Sequence, residues 1–582
     1  MSDSNDEKVT YFAETDARHE RKPFGIKNAD RSKHIYVIGK TGMGKSTLLE
    51  NMAIQDIQNG HGLTFIDPHG GTAEKLLEYV PEERIKDVLY FAPFDMEYPV
   101  AFNIMEDVGA DKRHLVVNGL MSVFEKIWED AWSARMAYIL QNTLLALLEY
   151  PGATLLAVNR MYTDKEFRNK VVANVTDVSV KSFWIDEYAK YTDKYTQEAT
   201  PAIQNKIGQF AGNPLIRNII GQPKSSFNLR QIMDDKKIMI VNLSKGRVGE
   251  GNARLLGSMF ITKLYLAAMS RSDENASRLA QLPQFYLFVD EFQSFADRSF
   301  ADILSEARKY KLNLTMAHQY IEQMDEEVRD AVFGNVGTMI VFRVGAYDAD
   351  VLEKEFAPTF EAEDLVNLGL RQIYLKLMID SVSSQPFSAT TLPPIQPPRS
   401  SYVQEITNNS RKVFARPRNE VEKLIVDWHE EGRVVSSKPV APKSVLPKFV
   451  QQPKPFIPKP EPKAIDIRGQ KPTRPITNNF SPKIESKPAL QPISLKKLSE
   501  EKDNQRKPDI QRVSALRDAL KAVVGDTKRT ESSAPRLPGP GGQDEREGNL
   551  PVGKAGSRPI QSASPAKQTG PTPEELKKIL DV

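Results

Sequence analysis

Short runs of apolar and β-branched residues recur along the chain up to about residue 395, and they predict β-strands. Seven runs are typical of buried strands, at residues 34–39, 62–67, 88–94, 238–243, 285–290, 312–317 and 338–344. Two further runs, at 374–379 and 387–392, predict a final pair of strands. Helical spacing of apolar residues separates most of the seven runs. The pattern therefore predicts an α/β fold with a mostly parallel sheet and helices on both faces.

A different pattern occupies residues 111 to about 220, where no strand-like run occurs. Apolar residues recur there at helical spacing, most clearly at 115–127 and 136–148. This pattern predicts an all-α insertion within the α/β domain.

Proline marks another boundary, because 27 of the 39 prolines follow residue 390. Residues 393–570 are rich in Pro, Lys, Ser and Gln, a composition that buries too little apolar surface to offset chain entropy. We predict a long disordered basic tail with short helical segments at 419–428, 513–524 and 572–580. These segments are either docking helices that fold on a partner or transient helices without a role.

Together these patterns divide the chain into five regions. They are an N-terminal extension (1–29), the first part of the α/β domain (30–110), the all-α insertion (111–225), the second part of the α/β domain (226–395) and the tail (396–582). Residues 391–582 carry a net charge of +13, which leaves −10 for residues 1–390 from the total of +3. The tail is either a source of non-specific affinity for DNA or a solubilising linker.

Composition also indicates the cellular compartment of the chain. The chain has no cysteine, which excludes disulfides and thiolate metal sites and agrees with a reducing compartment. No apolar run approaches the roughly 20 residues needed to cross a bilayer, and the polar, acidic N-terminus is unlike a signal peptide. We expect a soluble chain in the cytoplasm, whose attachment to the inner face of the cell membrane would depend on a partner.

The segment HIYVIGKTGMGKSTLLENM combines a strand, a glycine-rich turn and a helix, and it contains G-x-x-x-x-G-K-S. Glycines at these positions let successive backbone N–H groups surround a phosphate at a helix N-terminus. In such a loop Lys45 reaches the β- and γ-phosphates of ATP, and the Ser46 hydroxyl binds Mg²⁺. The predicted nucleotide-binding residues are Gly39, Lys40, Thr41, Gly42, Met43, Gly44, Lys45, Ser46 and Thr47.

Two acids, Asp290 and Glu291, end the apolar run in PQFYLFVDEFQSF. Taken alone, they are most simply an ordinary strand end with two solvated carboxylates. Beside a phosphate-binding loop, we expect Asp290 to hold Mg²⁺ through water and Glu291 to accept a proton from the attacking water as the general base.

Two further polar residues follow in EARKYKLNLTMAHQ. Gln319 ends an apolar run, a position from which it would sense the γ-phosphate. Arg308 precedes that run and has two interpretations, a solvated surface arginine or an arginine finger that enters a neighbouring subunit's site.

With these residues in order, the chain resembles the FtsK–HerA superfamily of pumping ATPases, and within it the coupling proteins of conjugation and type IV secretion systems. The resemblance spans about residues 23–395, and the segments that carry it are 34–49, 62–71, 236–260, 285–320 and 333–356. It implies a RecA-like motor domain, an all-α domain inserted between motor strands, and a homo-hexameric ring with ATP between subunits. It also implies that Asp67, in the IDPHG turn, lies near the nucleotide.

The chain departs from this family in two respects. Coupling proteins usually have N-terminal transmembrane helices, whereas 38 residues precede Gly39 here. We therefore expect the membrane anchor to be lost, supplied by another polypeptide such as a secretion-channel protein, or absent from a system of a different kind. The long basic tail is not a constant feature of the family.

Three functions remain open at this point. The first is an ATP-hydrolysing hexameric translocase that moves single- or double-stranded DNA. The second is an ATPase of the same superfamily that exports protein or assembles a secretion machine. The third is an ATP-binding scaffold, against which the presence of Glu291 and Arg308 argues.

Overall fold

The computed structural model describes residues 7–16 and 20–430 of the chain. Its strands are β1 (Val9–Thr15), β2 (Pro23–Lys27), β3 (Ile35–Ile38), β4 (Gly62–Asp67), β5 (Val88–Phe91), β6 (Ile238–Asn242), β7 (Phe285–Val289), β8 (Leu312–His318), β9 (Thr338–Val341), β10 (Gln372–Lys376), β11 (Met378–Ile379), β12 (Val382–Ser383) and β13 (Phe387–Thr391). The predicted tail helices at 513–524 and 572–580 lie outside the described residues.

The helices connect these strands and fill the interval between β5 and β6. They are α1 (Lys45–Gln58), α2 (Gly71–Glu78), α3 (Ala110–Ile127), α4 (Ala134–Leu148), α5 (Ala157–Thr163), α6 (Lys165–Asn174), α7 (Val178–Ser182), α8 (Asp193–Ala199), α9 (Pro201–Gly212), α10 (Pro214–Ile220), α11 (Leu229–Asp234), α12 (Lys245–Val248), α13 (Glu250–Met269), α14 (Ala276–Gln281), α15 (Ser299–Glu306), α16 (Glu326–Asn335), α17 (Ala346–Phe356), α18 (Ala362–Val366), α19 (Val403–Phe414) and α20 (Arg418–Glu430). Tighter 3₁₀ turns include Phe292–Ser294 after β7 and Ala307–Tyr310 before β8.

Within the described residues one sheet contains eleven strands, in the order β2-β1-β13-β10-β9-β3-β8-β7-β4-β6-β5. The seven strands from β9 to β5 pair in parallel, and β10, β13, β1 and β2 pair antiparallel. The predicted fold class, α/β with a mostly parallel sheet, is confirmed.

Both faces of the sheet are buried. Along β3, Ile35 and Val37 belong to one apolar cluster, while Tyr36 and Ile38 belong to the other. Because successive side chains of a strand point to opposite faces, a continuous apolar run such as β3 requires cover on both sides.

The carboxyl ends of the parallel strands meet at one edge of this sheet. Ile38 of β3 pairs with His318 of β8, and Val289 of β7 pairs with Met316 of β8. The residues that follow these strands, among them Gly39, Asp290 and Gln319, therefore lie along the same edge. In open α/β sheets this edge is where ligands bind.

The N-terminal extension departs from the sequence-based division. The structure places β1 and β2 within the main sheet, where Ala13 pairs with Thr391 of β13. Phe12, Phe24 and Ile26 are buried. These residues belong to the α/β domain, and the register shift of β1 between Tyr11 and Ala13 interrupts the alternation that would have revealed the strand.

The helices between β5 and β6 include the two predicted most clearly from apolar spacing, α3 and α4. Within the described part of this interval no strand occurs. Its first helix, α3, packs against α13 of the α/β domain, and the two helices are close enough that a Cβ on Gly119 would lie 2.4 Å from Cγ2 of Thr262.

Residues 392–430, the C-terminal segment, differ from the predicted disordered tail. Helix α19 covers the edge strand β5, and the Ser410 hydroxyl accepts a hydrogen bond from the Tyr90 backbone N–H at 3.0 Å. Helix α20 packs on the helices between β5 and β6, where the Arg160 guanidinium donates to the Trp428 carbonyl at 3.0 Å. The predicted helical segment at 419–428 is present as α20. The expectation of disorder is wrong for residues 403–414, because the overall composition of the tail concealed the amphipathic pattern of α19.

Across the described ranges, no helix combines the length and the apolar composition needed to cross a membrane.

Candidate active site

The phosphate-binding loop joins β3 to α1. A Cβ on Gly39 would lie 2.5 Å from Cβ of Phe342, so only glycine fits this approach to the segment after β9. Gly44, immediately before α1, has a φ of 118°, which L side chains rarely adopt. The loop therefore turns tightly into the N-terminus of α1, where free backbone N–H groups favour an anion.

Contacts from the strands on the β9 side hold the loop in place. The Lys40 N–H donates to the Arg343 carbonyl at 2.8 Å, and the Arg371 N–H donates to the Met43 carbonyl at 3.2 Å. The Met43 side chain is buried in the core, and Thr47 lies in the first turn of α1. Of these residues sequence reasoning missed Arg371, whose φ of 66° places it in a left-handed turn before β10.

Lys45 lies buried inside the loop. Its ammonium donates to the carbonyls of Gly39 at 2.6 Å and Lys40 at 3.2 Å. Burial lowers the pKa of Lys45, and the carboxylates of Glu291 and Asp290 partly oppose that shift. The structure thus brings the predicted phosphate-binding cation next to both predicted acids.

The predicted Mg²⁺ ligands Ser46 and Asp290 lie side by side. The Ser46 hydroxyl donates to Oδ2 of Asp290 at 2.9 Å. Burial raises the pKa of Asp290, and the hydrogen bond from Ser46 opposes the rise. Among the described residues no group of three or more His, Cys, Asp or Glu side chains is arranged to hold a metal ion. One carboxylate with one hydroxyl fits Mg²⁺, which proteins commonly bind through one or two carboxylates together with substrate phosphates.

Glu291 follows Asp290 in a left-handed conformation, with a φ of 49°. Its carboxylate accepts hydrogen bonds from the side-chain amides of Gln319 and of Gln293, the latter at 2.6 Å. Burial alone would raise the pKa of Glu291, but the nearby His69 imidazole, the hydrogen bonds from Gln293 and Gln319 and the charge of Lys45 together lower it to about 2. The carboxylate is therefore ionised and held by several donors at neutral pH.

Gln319 connects this carboxylate to the phosphate-binding loop. Its side-chain oxygen accepts a hydrogen bond from the Thr41 hydroxyl at 3.0 Å, while its amide donates to Glu291. Since Thr41 belongs to the loop, a single side chain links the loop to Glu291.

Asp67 ends β4 and forms the turn that follows it. Its carboxylate accepts the backbone N–H groups of His69 at 2.8 Å and Ala73 at 2.9 Å. A direct contact with nucleotide therefore stays a prediction for Asp67. The same turn places Nε2 of His69 3.9 Å from Oε1 of Glu291. Sequence reasoning did not single out His69, although its place after the carboxyl end of a strand could have identified it.

Arg308 is not brought to this site. It is exposed and lies in the turn Ala307–Tyr310, before the amino end of β8. Gln319 follows the carboxyl end of the same strand, which spans seven residues. At about 3.3 Å per residue, Arg308 is on the order of 20 Å from the site of its own chain.

Residues 5–348 match the family model described as "Type IV secretory system Conjugative DNA transfer". No curated protein matches the sequence.

The structure is similar to solved structures of coupling proteins and of VirB4. One is the bacterial conjugative coupling protein TrwBdeltaN70, with 15% identity, a TM-score of 0.47, and coverage of 64% of this chain and 87% of that chain. Another is the plasmid coupling protein TrwB in complex with ADP and Mg²⁺, with 14% identity, a TM-score of 0.48, and coverage of 68% and 98%. A third is VirB4 of Thermoanaerobacter pseudethanolicus, with 12% identity, a TM-score of 0.45, and coverage of 68% and 98%.

Proposed function

The chain belongs to the family of type IV secretory system conjugative DNA-transfer proteins, and from this premise we propose that it is an ATP-hydrolysing DNA translocase. In this proposal it is a RecA-like motor that uses ATP and Mg²⁺, works as a homo-hexamer, and moves single- or double-stranded DNA. Its place is the cytoplasm, with a secretion-channel or membrane-anchor protein as its partner at the inner face of the membrane.

One observation above all supports hydrolysis rather than binding alone. The carboxylate of Glu291 lies at the same sheet edge as the phosphate-binding loop, and Gln319 joins it to Thr41 of that loop. A chain that only bound nucleotide would need the loop but not a buried, ionised carboxylate linked to it. General-base catalysis needs such a group within hydrogen-bond reach of the attacking water.

In this proposal each residue of the site has a separate role in binding the nucleotide. The backbone of residues 39–46 surrounds the phosphates, and Lys45 exchanges its carbonyl partners for phosphate oxygens. When bound to Ser46 and Asp290, Mg²⁺ would supply neutralisation of the charge that develops on the phosphates.

Glu291 accepts the proton of the attacking water in this proposal. The carboxylate already accepts hydrogen bonds from Gln293 and Gln319, and in this proposal water takes the place of one of them. Gln319 is the donor best placed to leave, since its other contact is with Thr41 of the phosphate-binding loop. Gln319 would then report the presence of the γ-phosphate to Glu291.

Hydrolysis assays with the full-length chain test this proposal. We expect Mg²⁺-dependent release of phosphate from ATP that rises when single- or double-stranded DNA is added. Glu291→Gln should retain ATP binding and lose about 100-fold or more of the turnover, because general-base catalysis commonly contributes 10²–10⁴-fold.

Two results would contradict different parts of the proposal. Turnover of Glu291→Gln at the original rate would remove Glu291 as the general base. Hydrolysis that neither form of DNA stimulates would instead count against DNA as the substrate and favour transport of protein.

A further inference from the structure

His69 contacts the general base from the turn between β4 and α2. Its Nε2 lies 3.9 Å from Oε1 of Glu291, and the side chain of His69 is 62% exposed while that of Glu291 is 9% exposed. An imidazole that is open to solvent on one side thus reaches a carboxylate that is almost completely buried.

Several contacts fix the conformation of the turn that carries His69. The buried carboxylate of Asp67 accepts the N–H groups of His69 and Ala73. Gly70 has a φ of 90°, and a Cβ at this position would lie 2.6 Å from Oδ1 of Asn242 on the neighbouring strand. These contacts fix the backbone of the turn and hence the position from which the His69 imidazole extends.

The other side chains that contact the Glu291 carboxylate are the neutral amides of Gln293 and Gln319. His69 is the ionisable member of this set. Its contact with the Glu291 carboxylate raises the pKa of His69 most, the charges of Asp67 and Asp290 add to the rise, and burial opposes it. The three side chains come from three segments of chain, the turn after β4, the turn after β7 and the end of β8.

The three side chains around Glu291 differ in what holds them in place. Gln319 contacts the phosphate-binding loop and, under the proposed function, gives way to the attacking water. Gln293 is two residues from Glu291 and moves with it. The turn of His69 is fixed independently, by Asp67 and Asn242, so it offers a stationary point against which the carboxylate can be oriented.

We propose that His69 is a positioning residue for hydrolysis, whose imidazole holds the Glu291 carboxylate in the orientation that accepts a proton from water. The inference rests on the proposed function, since it assumes that Glu291 is the base. It assigns His69 no contact with the reacting atoms.

Steady-state kinetics of full-length variants test the inference. His69→Ala should lower kcat for ATP about 10- to 100-fold, the scale expected when a reacting group loses its orientation. The KM and the affinity for a non-hydrolysable ATP analogue should stay within about twofold, because the phosphate-binding loop is untouched. His69→Gln should recover most of kcat, since its side-chain amide can donate to the same carboxylate.

Two controls separate this role from a structural one. His114→Ala, at an exposed position of α3, should leave kcat unchanged. Combining His69→Ala with Glu291→Gln should lower turnover no further than Glu291→Gln does, because a residue that acts through Glu291 has no effect without it.

The inference is overturned if His69→Ala retains the wild-type kcat, or if the substitution instead changes KM or the affinity for nucleotide. It is also overturned if His69→Gln is as slow as His69→Ala. These outcomes are distinct from failure of the proposed function, which would appear as normal hydrolysis by Glu291→Gln. Inactive Glu291→Gln with fully active His69→Ala would overturn the positioning role alone.

Discussion

At the scale of single residues, a cluster of buried charges lies at the end of α1 away from the phosphate-binding loop. Asp56 is fully buried and accepts two hydrogen bonds from the Arg31 guanidinium, each at 2.7 Å, and one contact from Nδ1 of His61 at 2.9 Å. The same guanidinium lies over the Tyr286 ring, 3.7 Å from its centroid. This cluster joins α1 to the N-terminal segment and to β7, so it fixes the helix that carries the loop.

Removing the negative charge from this cluster should destabilise the fold. Burial alone would raise the pKa of Asp56, but the charge and hydrogen bonds of Arg31, with the contact of His61, lower it. Asp56→Asn leaves the Arg31 charge buried and unpaired, and we expect a loss of about 3 kcal/mol or more in the free energy of unfolding, measured in urea at neutral pH. Glu326→Gln, in an exposed pair with Arg329, is the matched control and should change little.

The difference in stability between the wild type and Asp56→Asn should depend on pH. Because the folded-state pKa of Asp56 is lowered, its stabilisation is complete above the unfolded value near 3.9 and is lost as pH falls through the folded value. The wild-type chain should therefore approach Asp56→Asn in stability at acidic pH. A constant difference between the two proteins from neutral to acidic pH would contradict the assignment.

Residues of the site differ in how far the sequence alone predicts them. Lys45 and Ser46 stand in a linear motif, and Asp290 and Glu291 end an apolar run, so each is recognisable from its neighbours in the chain. The roles assigned to them remain predictions that the kinetic variants test. His69 acquires its place only when β4 and β7 pair side by side, because the contact to Glu291 crosses between two strands.

At the scale of elements, the crossing of α3 and α13 joins the helices between β5 and β6 to the α/β domain. Gly119 of α3 faces Thr262 of α13, whose hydroxyl donates to the Ser258 carbonyl at 3.0 Å. That hydrogen bond and the branching at Cβ restrict rotation of the threonine side chain, so its methyl group cannot easily move away. The crossing distance therefore depends on the absence of a side chain at Gly119.

Gly119→Ala should destabilise the protein although alanine favours helix. The added Cβ would lie 2.4 Å from Cγ2 of Thr262. Overpacking of this kind costs about 1–3 kcal/mol, which exceeds the gain of up to about 1 kcal/mol in helix propensity. Thermal unfolding measures the difference as a lower Tm.

Thr262→Ser provides the compensating change, because serine keeps the hydroxyl and lacks the methyl group. The double variant Gly119→Ala with Thr262→Ser should recover the stability lost by Gly119→Ala, beyond the sum of the two single changes. Strict additivity of the two substitutions would show that the helices do not meet at these residues.

Elements also differ in how well the apolar pattern predicts them. All nine strands inferred from apolar runs are present, since strands buried on both faces leave continuous runs in the sequence. The strands β1 and β2 and the helix α19 were missed because each is partly exposed and lies close to segments of polar composition. β1 pairs with β13, β2 pairs with β1, and α19 packs against β5, and none of these contacts is visible in a local window of sequence.

At the scale of the whole molecule, the two ends of the parallel sheet carry different parts of the predicted chemistry. The loop, Glu291 and Gln319 lie at the carboxyl edge, and Arg308 precedes the amino end of β8. A single copy cannot bring Arg308 to its own loop without unfolding the strand between them. If Arg308 acts in hydrolysis, it acts on the site of another copy, which requires a head-to-tail contact between copies.

Mixing two inactive variants tests this arrangement. Arg308→Ala keeps Glu291 but lacks the finger, and Glu291→Gln keeps the finger but lacks the base. Each variant alone should hydrolyse ATP about 10³-fold more slowly than the wild type. This is the scale expected for loss of an arginine finger, and it lies within the range for loss of a general base. In an equal mixture, half of the sites have Glu291, and half of those have a neighbour with Arg308. About a quarter of the wild-type activity should return if ring contacts are head-to-tail and sites act independently.

Lys309→Ala is the matched control, because Lys309 is exposed beside Arg308 and pairs with Glu306 of its own chain. It should hydrolyse ATP normally, alone and in mixtures. Full activity of Arg308→Ala alone would make Arg308 a solvated surface residue. An inactive mixture, with subunit exchange shown independently by differently labelled copies, would mean that Arg308 and Glu291 do not meet across a contact between copies. Recovery in the mixture requires that they do, because neither variant contains both groups.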